Sequence, residues 1–235
     1  DKSRYIREVE DSSDFFFFIR PRRFGKSLFL SMLENYYDMN RREKFDALFG
    51  DLWIGQHPTE QRNSYAVMRL DFSKVSSNLD ECEESFNAIC YLAYQAFCDY
   101  YQNLLPEGSL NMLSKDASAV LNFETIVNLC NKQGVSLYLL IDEYDNFTNK
   151  VLSDVSALCK YESITHQDGF YRTFFAALKS ATSSCLKKIF ITGVSPVTLD
   201  DLTSGFNINF NYTSYAAFNE MMGFTEKEVR AILAY

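Results

Sequence analysis

RPRRFGKS, residues 20–27, lies between an aromatic run, Phe15 to Ile19, and an apolar periodic segment, Leu28 to Tyr37. This context predicts a strand, a tight loop and a helix. The loop ends in Gly25-Lys26-Ser27, which is the tail of a phosphate-binding loop. Glycine lets the backbone approach a phosphate closely. The N–H groups at a helix N-terminus then form a positive cradle for oxyanions, so the segment predicts a nucleotide site.

The loop departs from the usual pattern at its first position, where Arg20 stands in place of a glycine. Lys26 is expected to reach the β- and γ-phosphates, and the Ser27 hydroxyl is expected to bind Mg²⁺. Arg22 or Arg23 either faces phosphate or lines the entrance to the site. The predicted nucleotide-binding residues are Arg22, Arg23, Phe24, Gly25, Lys26, Ser27 and Leu28.

The composition limits which classes of protein the chain can belong to. The chain has 235 residues, 47% of them hydrophobic and 16% aromatic, which is ample for the core of one large or two small domains. A formal net charge of −8 disfavours direct nucleic-acid binding by this surface. No apolar run is long enough to span a membrane, and no signal peptide is visible. Six cysteines without a C-x-x-C pair predict buried, reduced thiols, so a cytoplasmic location is expected, and the scarcity of histidine argues against a zinc site.

Strand and helix patterns alternate along the chain. This alternation predicts an α/β fold with a parallel sheet of about five strands and helices on both faces. The predicted strands are Phe15–Ile19, Tyr65–Phe72, Leu137–Ile141 and Ile189–Thr192, with Ile208–Tyr212 as the candidate fifth. The predicted helices cover Leu28–Tyr37, a segment opened by Ser76–Asp80, Asn122–Gln133, Asn149–Tyr161 and Gly169–Ala181. The first of them is expected to bury Leu28, Met32, Leu33, Tyr36 and Tyr37.

The last predicted helix opens at a capping box, Thr225 to Glu228. We therefore divide the chain into a core, residues 1–223, and the start of a C-terminal helical lid, residues 224–235. Since the chain begins at Asp1 and stops within a helical pattern, it is expected to be a piece of a longer protein.

Asp142 and Glu143 follow Leu137–Ile141, the strongest strand pattern in the chain. Apolar residues followed by Asp-Glu are typical of the Walker B motif. Ligands bind beyond the carboxyl ends of parallel strands, where Asp142 would hold Mg²⁺. Glu143 would orient or deprotonate the attacking water. The structural alternative is a turn, which Asp145 and Asn146 also favour.

The fourth strand ends at Thr192, and Ser195 follows shortly. In ATPases with an extra strand between the P-loop and Walker B strands, a polar residue here senses the γ-phosphate. Thr192 and Ser195 both fit, and a turn residue is the alternative because Ser195 precedes a proline. Arg172 either serves a neighbouring subunit or lies on a solvated helix face.

With these motifs, the chain resembles the AAA-ATPase-like family of bacterial and archaeal proteins along nearly its whole length. The resemblance implies a P-loop ATPase core of the additional-strand type, in which the arginine-started loop is the family's own. In that family a nuclease-like domain of the PD-(D/E)XK type often follows. The resemblance to the family is carried by residues 1–3, 20–28, 70–73, 140–146, 191–195 and 223–229.

The favoured interpretation is an ATP-binding, Mg²⁺-dependent ATPase that acts as a nucleotide-driven switch or motor for a downstream domain. The predicted catalytic residues are Lys26, Glu143, Thr192 and Ser195, and the predicted metal ligands are Ser27 and Asp142. One alternative is a regulatory module that binds nucleotide without hydrolysis. Another is the ATPase part of a DNA-directed nuclease system. Oligomerisation is compatible with each.

Overall fold

A parallel sheet forms the centre of the computed structural model, which describes residues 1–78, 80–152, 158–166, 168–196 and 210–234. Its main strands are β1 (Phe15–Ile19), β2 (Ala66–Asp71), β3 (Leu137–Asp142) and β4 (Leu186–Gly193). They lie in the order β2-β3-β4-β1. A two-residue strand, β5 (Phe210–Asn211), pairs with the outer side of β1. Residues 208 and 209 of the predicted fifth strand lie outside the described residues.

Helices cover both faces of the sheet, which confirms the predicted α/β class with a parallel sheet. They are α1 (Tyr5–Ser12), α2 (Lys26–Tyr37), α3 (Phe45–Phe49), α4 (Trp53–Gln56), α5 (Cys82–Tyr100), α6 (Ala119–Gln133), α7 (Asn146–Leu152), α8 (Leu158–Thr165), α9 (Phe170–Ala181) and α10 (Glu226–Leu233). Between them, the described residues form 3₁₀ turns at residues 39–44, 72–74, 109–112 and 216–218. Within the described part of the chain, no helix is both long and apolar enough to cross a bilayer.

Three helix boundaries differ from the sequence prediction. α5 begins six residues after Ser76, because the hydroxyl of Ser76 accepts from Asn78 N and holds that segment in a turn. α6 begins earlier than predicted, since the Ser118 side chain caps it by accepting from Leu121 N. The predicted helix Asn149–Tyr161 is represented by α7 and α8, and residues 153–157 between them lie outside the described residues.

Successive side chains of each strand point to opposite faces of the sheet, so one hydrophobic core forms on each side of it. Phe16 and Phe18 of β1 pack with α1, α2 and α3, whereas Phe17 packs with α5, α6 and α9. The Phe16 ring stacks on Tyr212 at 4.3 Å, which fixes the segment after β5 against the first core. The five cysteines whose side chains are described, Cys82, Cys90, Cys98, Cys130 and Cys185, are all buried, as predicted.

The buried face of α2 was predicted wrongly at its first position. Leu28 is 76% exposed, whereas Phe29, Leu30 and Leu33 are buried with Tyr36 and Tyr37. The sheet-facing stripe of α2 runs through residues 26, 29, 30, 33, 36 and 37, so Leu28 points to another side of the helix. Leu28 lines a cavity there instead, together with Phe24 and Phe224.

Candidate active site

The loop between β1 and α2 is mostly exposed, and two of its residues have positive φ angles. Gly25, the residue before α2, has φ 83°, and Arg23 has φ 69°. No atom of the described residues lies within 4 Å of a Cβ atom built on Gly25, so this position favours glycine for its left-handed backbone rather than for space. Ser27, in the first turn of α2, is exposed as well. The helix N-terminus is therefore open to an anionic ligand.

Lys26 is buried to 4% exposure, and its ammonium points back into the loop. Its Nζ donates to the carbonyls of Arg20 at 3.2 Å and Pro21 at 3.3 Å. It also lies 3.4 Å from Glu143 Oε1, so the predicted phosphate-binding lysine and the predicted water-activating carboxylate form an ion pair. Glu143 has φ 52°, a left-handed conformation that is uncommon outside glycine and frequent at functional sites.

Arg20, the residue in place of the first glycine, turns its side chain away from Lys26 and binds backbone carbonyls. Its guanidinium donates to the carbonyl of Ile19 at 3.0 Å, Thr213 at 3.0 Å and Phe218 at 3.3 Å. The guanidinium carbon lies 4.1 Å from the centre of the Phe18 ring. Partial burial lowers the pKa of Arg20 from its usual value. Arg20 therefore ties the loop to the segment after β5.

The end of the loop borders an apolar cavity of about 610 Å³. Arg23, Phe24, Gly25 and Leu28 line its loop side, and Met221 to Phe224 line the opposite side. The two walls meet closely, since a Cβ atom on Gly223 would lie 2.8 Å from the Phe24 ring. Arg22 and Arg23 are both exposed.

Asp142 and Thr192 are level with each other on neighbouring strands. Ile141 pairs with Ile191 in the ladder, and Asp142 and Thr192 are the next residues of the two strands. Leu140 and Phe190 pack in the core beside α2, so Asp142 and Thr192, two residues further on, face the same side. Both are buried, with 1% and 0% exposure.

Neither side chain is fully satisfied. Among the described residues, Asp142 Oδ1 and Thr192 Oγ1 are two of four buried side-chain polar atoms without a hydrogen-bond partner. A buried polar atom without a hydrogen bond destabilises the folded state and is rare, so each one requires an explanation. A cation at this edge of the sheet would satisfy the Asp142 oxygen, and the Thr192 hydroxyl could donate to a phosphate oxygen or coordinate the same cation.

The second oxygen of Asp142 is paired with a residue that the sequence analysis did not identify. Arg69 Nη2 lies 2.9 Å from Asp142 Oδ2, and Arg69 Nη1 lies 3.7 Å from Glu34 Oε2. A signal was present, since Arg69 is a charged residue at an inward-facing position of an otherwise apolar strand pattern. Its partners are distant in sequence and were not predictable from that pattern.

The turn after β3 is bound to the end of β4. The Asp145 carboxylate is buried and accepts from Val194 N at 3.0 Å and Ser195 N at 2.5 Å. The Tyr144 hydroxyl donates to the Ser195 carbonyl. A Cβ atom on Gly193 would lie 2.3 Å from Asp145 Oδ1, so this approach requires glycine. Tyr144, Asp145 and Gly193 therefore determine where β4 ends.

Four predicted nucleotide-binding residues, Arg22, Arg23, Phe24 and Leu28, are thus exposed, and the other predicted residues fall into three groups. Gly25, Lys26, Ser27, Asp142, Glu143 and Thr192 lie together at the carboxyl edge of the sheet, on the α2 side. Ser195 lies beyond the end of β4, and its backbone is held by the turn. Arg172 is on α9, which packs on the opposite face of the sheet.

Comparison with known proteins adds two findings. A family model described as "Predicted AAA-ATPase" matches residues 1–203. The "Uncharacterized protein in vnfD 5'region" of Azotobacter chroococcum mcd 1 is 24% identical over 245 residues. That alignment covers 100% of this chain and 41% of the relative, so the chain spans less than half of the relative's length. No solved structure matches the chain.

Proposed function

Because this chain belongs to the predicted AAA-ATPase family, we propose that it binds ATP with Mg²⁺ and hydrolyses its terminal phosphoanhydride bond. The observation that carries the proposal is the pair of unsatisfied buried atoms, Asp142 Oδ1 and Thr192 Oγ1, beside the Lys26–Glu143 ion pair. The position of β4 between β1 and β3 supports assignment to the additional-strand type of P-loop ATPase.

Lys26 and the N-terminus of α2 would bind the β- and γ-phosphates. Ser27 and Asp142 would hold Mg²⁺, since one is exposed at the start of α2 and the other has a free oxygen. When bound, Mg²⁺ supplies positive charge to the phosphate oxygens. Arg22 and Arg23 are the exposed cations at the mouth of the loop.

Glu143 is the proposed water-activating residue. In the structure it neutralises Lys26 across 3.4 Å. Bound phosphate would be a stronger partner for Lys26 because it brings more negative charge than one carboxylate. The Glu143 carboxylate would then be released to accept a proton from water. Thr192 is the proposed γ-phosphate sensor, rather than Ser195, because its hydroxyl is unsatisfied and is level with Asp142.

The apolar cavity beside Gly25 is the proposed site for the nucleobase, with Phe24 and Leu28 as apolar contacts. Phe224, at the start of the proposed lid, lines the same cavity. Lys2 Nζ bonds Glu228 Oε2 at 3.1 Å and connects α10 to the N-terminal segment. Nucleotide in this cavity would therefore act directly on the lid, residues 224–235, and through it on a downstream domain. The greater length of the Azotobacter relative supports a further domain, for which a nuclease is one candidate.

A module that binds nucleotide without hydrolysis is the second candidate. It is favoured by the ion pair between Glu143 and Lys26, which are 3.4 Å apart. A Glu143 carboxylate that stays paired with Lys26 could not accept a proton from water, so nucleotide would be bound but not hydrolysed.

Release of labelled phosphate from γ-labelled ATP with Mg²⁺ separates the two candidates. We expect Lys26→Ala to abolish nucleotide binding, and Glu143→Gln to bind ATP without hydrolysing it. Lys44→Ala and Glu43→Gln, on the exposed 3₁₀ turn, are the matched controls. Wild-type binding without phosphate release would support the second candidate, and equal rates in wild type and Glu143→Gln would exclude Glu143 as the base.

A further inference from the structure

Arg69 connects three elements of the fold at the proposed metal site. It lies on β2, Asp142 ends β3, and Glu34 is on α2. Val67 packs in the core beside α2, so Arg69, two residues on, faces that same side. Its guanidinium bridges the two carboxylates, at 2.9 Å from Asp142 and 3.7 Å from Glu34. Asp142 therefore already has a cation beside it.

This cation is close to where a metal ligated by Asp142 would lie. Arg69 occupies Oδ2, and Oδ1 is the oxygen without a partner in the described part of the chain. A guanidinium and a divalent cation on one buried carboxylate repel each other, and burial weakens the screening between them. Because arginine stays protonated, it cannot relieve the repulsion by losing its charge. It has to move instead.

Glu34 gives Arg69 an acceptor to move to. Glu34 lies seven residues after Ser27 on α2, so the two share a helix face about 10 Å apart along the axis. A move toward Glu34 is therefore a move away from the metal end of the helix. A cavity of about 420 Å³, lined by Glu34, Arg41 and Arg69, provides the space. Arg69 has 28% of its side chain exposed, so the movement does not require the core to open.

We propose that Arg69 is an internal counter-cation that competes with Mg²⁺ for Asp142 and transfers to Glu34 when the metal binds. The inference rests on the proposed function, since it concerns the same metal site. Without metal, Arg69 neutralises a carboxylate that would otherwise be buried and unpaired. With metal, Glu34 takes over the guanidinium. The relative affinity of Arg69 for the two carboxylates then sets the Mg²⁺ concentration at which nucleotide binds tightly.

Two substitutions test this in opposite directions. The measurement is the affinity for a fluorescent ATP analogue across a Mg²⁺ titration. Arg69→Met removes the competitor, so the half-maximal Mg²⁺ concentration is expected to fall roughly tenfold. Glu34→Gln removes the alternative acceptor and is expected to raise it roughly fivefold. Arg41→Met is the matched control, because Arg41 lines the same cavity but pairs with Asp38; its Mg²⁺ requirement should equal that of wild type.

An unchanged or higher Mg²⁺ requirement in Arg69→Met would overturn the inference, because Arg69 would then only orient Asp142. If Arg69→Met does not fold, Glu34→Gln decides alone, since Glu34 is 31% exposed and tolerates the change. Wild type that binds no nucleotide at any Mg²⁺ concentration would refute the proposed function and this inference with it. Wild type that binds nucleotide, with neither variant shifted, would refute the inference alone.

Discussion

The carboxylate of Asp145 lies 2.5 Å from the backbone nitrogen of Ser195 and is completely buried. The same carboxylate accepts from Val194 N and from the Asn149 side chain. A residue three positions after Asp142 thus holds the end of the neighbouring strand. Because Thr192 is in that strand, the position of the proposed sensor depends on the turn that carries Glu143.

Asp145→Asn is expected to destabilise the protein while preserving side-chain shape. The substitution replaces one acceptor oxygen by an amino group that cannot accept from a backbone N–H. Leaving a buried N–H unsatisfied costs about 1–3 kcal/mol, measurable as a lower free energy of unfolding in urea. Asp116→Asn, at an exposed position, should stay within about 0.5 kcal/mol of wild type. Equal stability of the two variants would contradict this role for Asp145.

Arg20→Met is expected to weaken folding but not nucleotide binding. The guanidinium donates to three backbone carbonyls, one of them at Thr213, so its donors are already used within the fold. Their loss should cost about 1–3 kcal/mol of unfolding free energy. Nucleotide affinity, measured by fluorescence titration, should match that of wild type. Arg42→Met, at an exposed site, is the control for loss of one positive charge. A large loss of affinity at full stability would instead assign Arg20 to phosphate.

Local patterns were enough to predict the strands, most helices and the capping box at Thr225, which forms as expected. These features depend on residues close in sequence, whose spacing reports which face is buried. The contacts of Arg20 could not be predicted, because Thr213 and Phe218 are almost 200 residues away. The Arg69–Asp142 pair could not be predicted for the same reason, since 73 residues separate its members. Only the strand order brings those residues together.

Acid should weaken the attachment of α10 through Glu228. Its pKa is lowered to about 2, first by the hydrogen bond from Thr225 N and then by Lys2. A carboxyl group with a lower pKa in the folded state adds stability above its unfolded pKa, near 4.5. That contribution is lost as pH falls from about 4.5 toward 2.

The test compares thermal unfolding midpoints of wild type and Glu228→Gln between pH 6 and pH 2. The difference should be largest near neutral pH and should disappear in acid, since a protonated Glu228 resembles the glutamine. Glu226→Gln is the matched control, because Glu226 pairs only with exposed Arg230 in the described contacts. A difference that stays constant with pH would show that Glu228 does not titrate as described.

Thr192→Val separates function from stability at the proposed sensor. The Thr192 hydroxyl is buried and unsatisfied in the structure, so its replacement by a methyl group should raise the unfolding free energy by up to about 1 kcal/mol. If that hydroxyl stabilises the γ-phosphate during hydrolysis, phosphate release should fall by roughly a hundredfold, the usual cost of one such donor.

Ser195→Ala keeps the backbone contacts with Tyr144 and Asp145 and should hydrolyse ATP close to the wild-type rate. A slow Ser195→Ala with a normal Thr192→Val would transfer the sensor role to Ser195. Loss of stability in Thr192→Val would mean that the hydroxyl has a structural partner. If the hydroxyl is instead retained for function at a cost to folding, its removal should make the folded protein more stable.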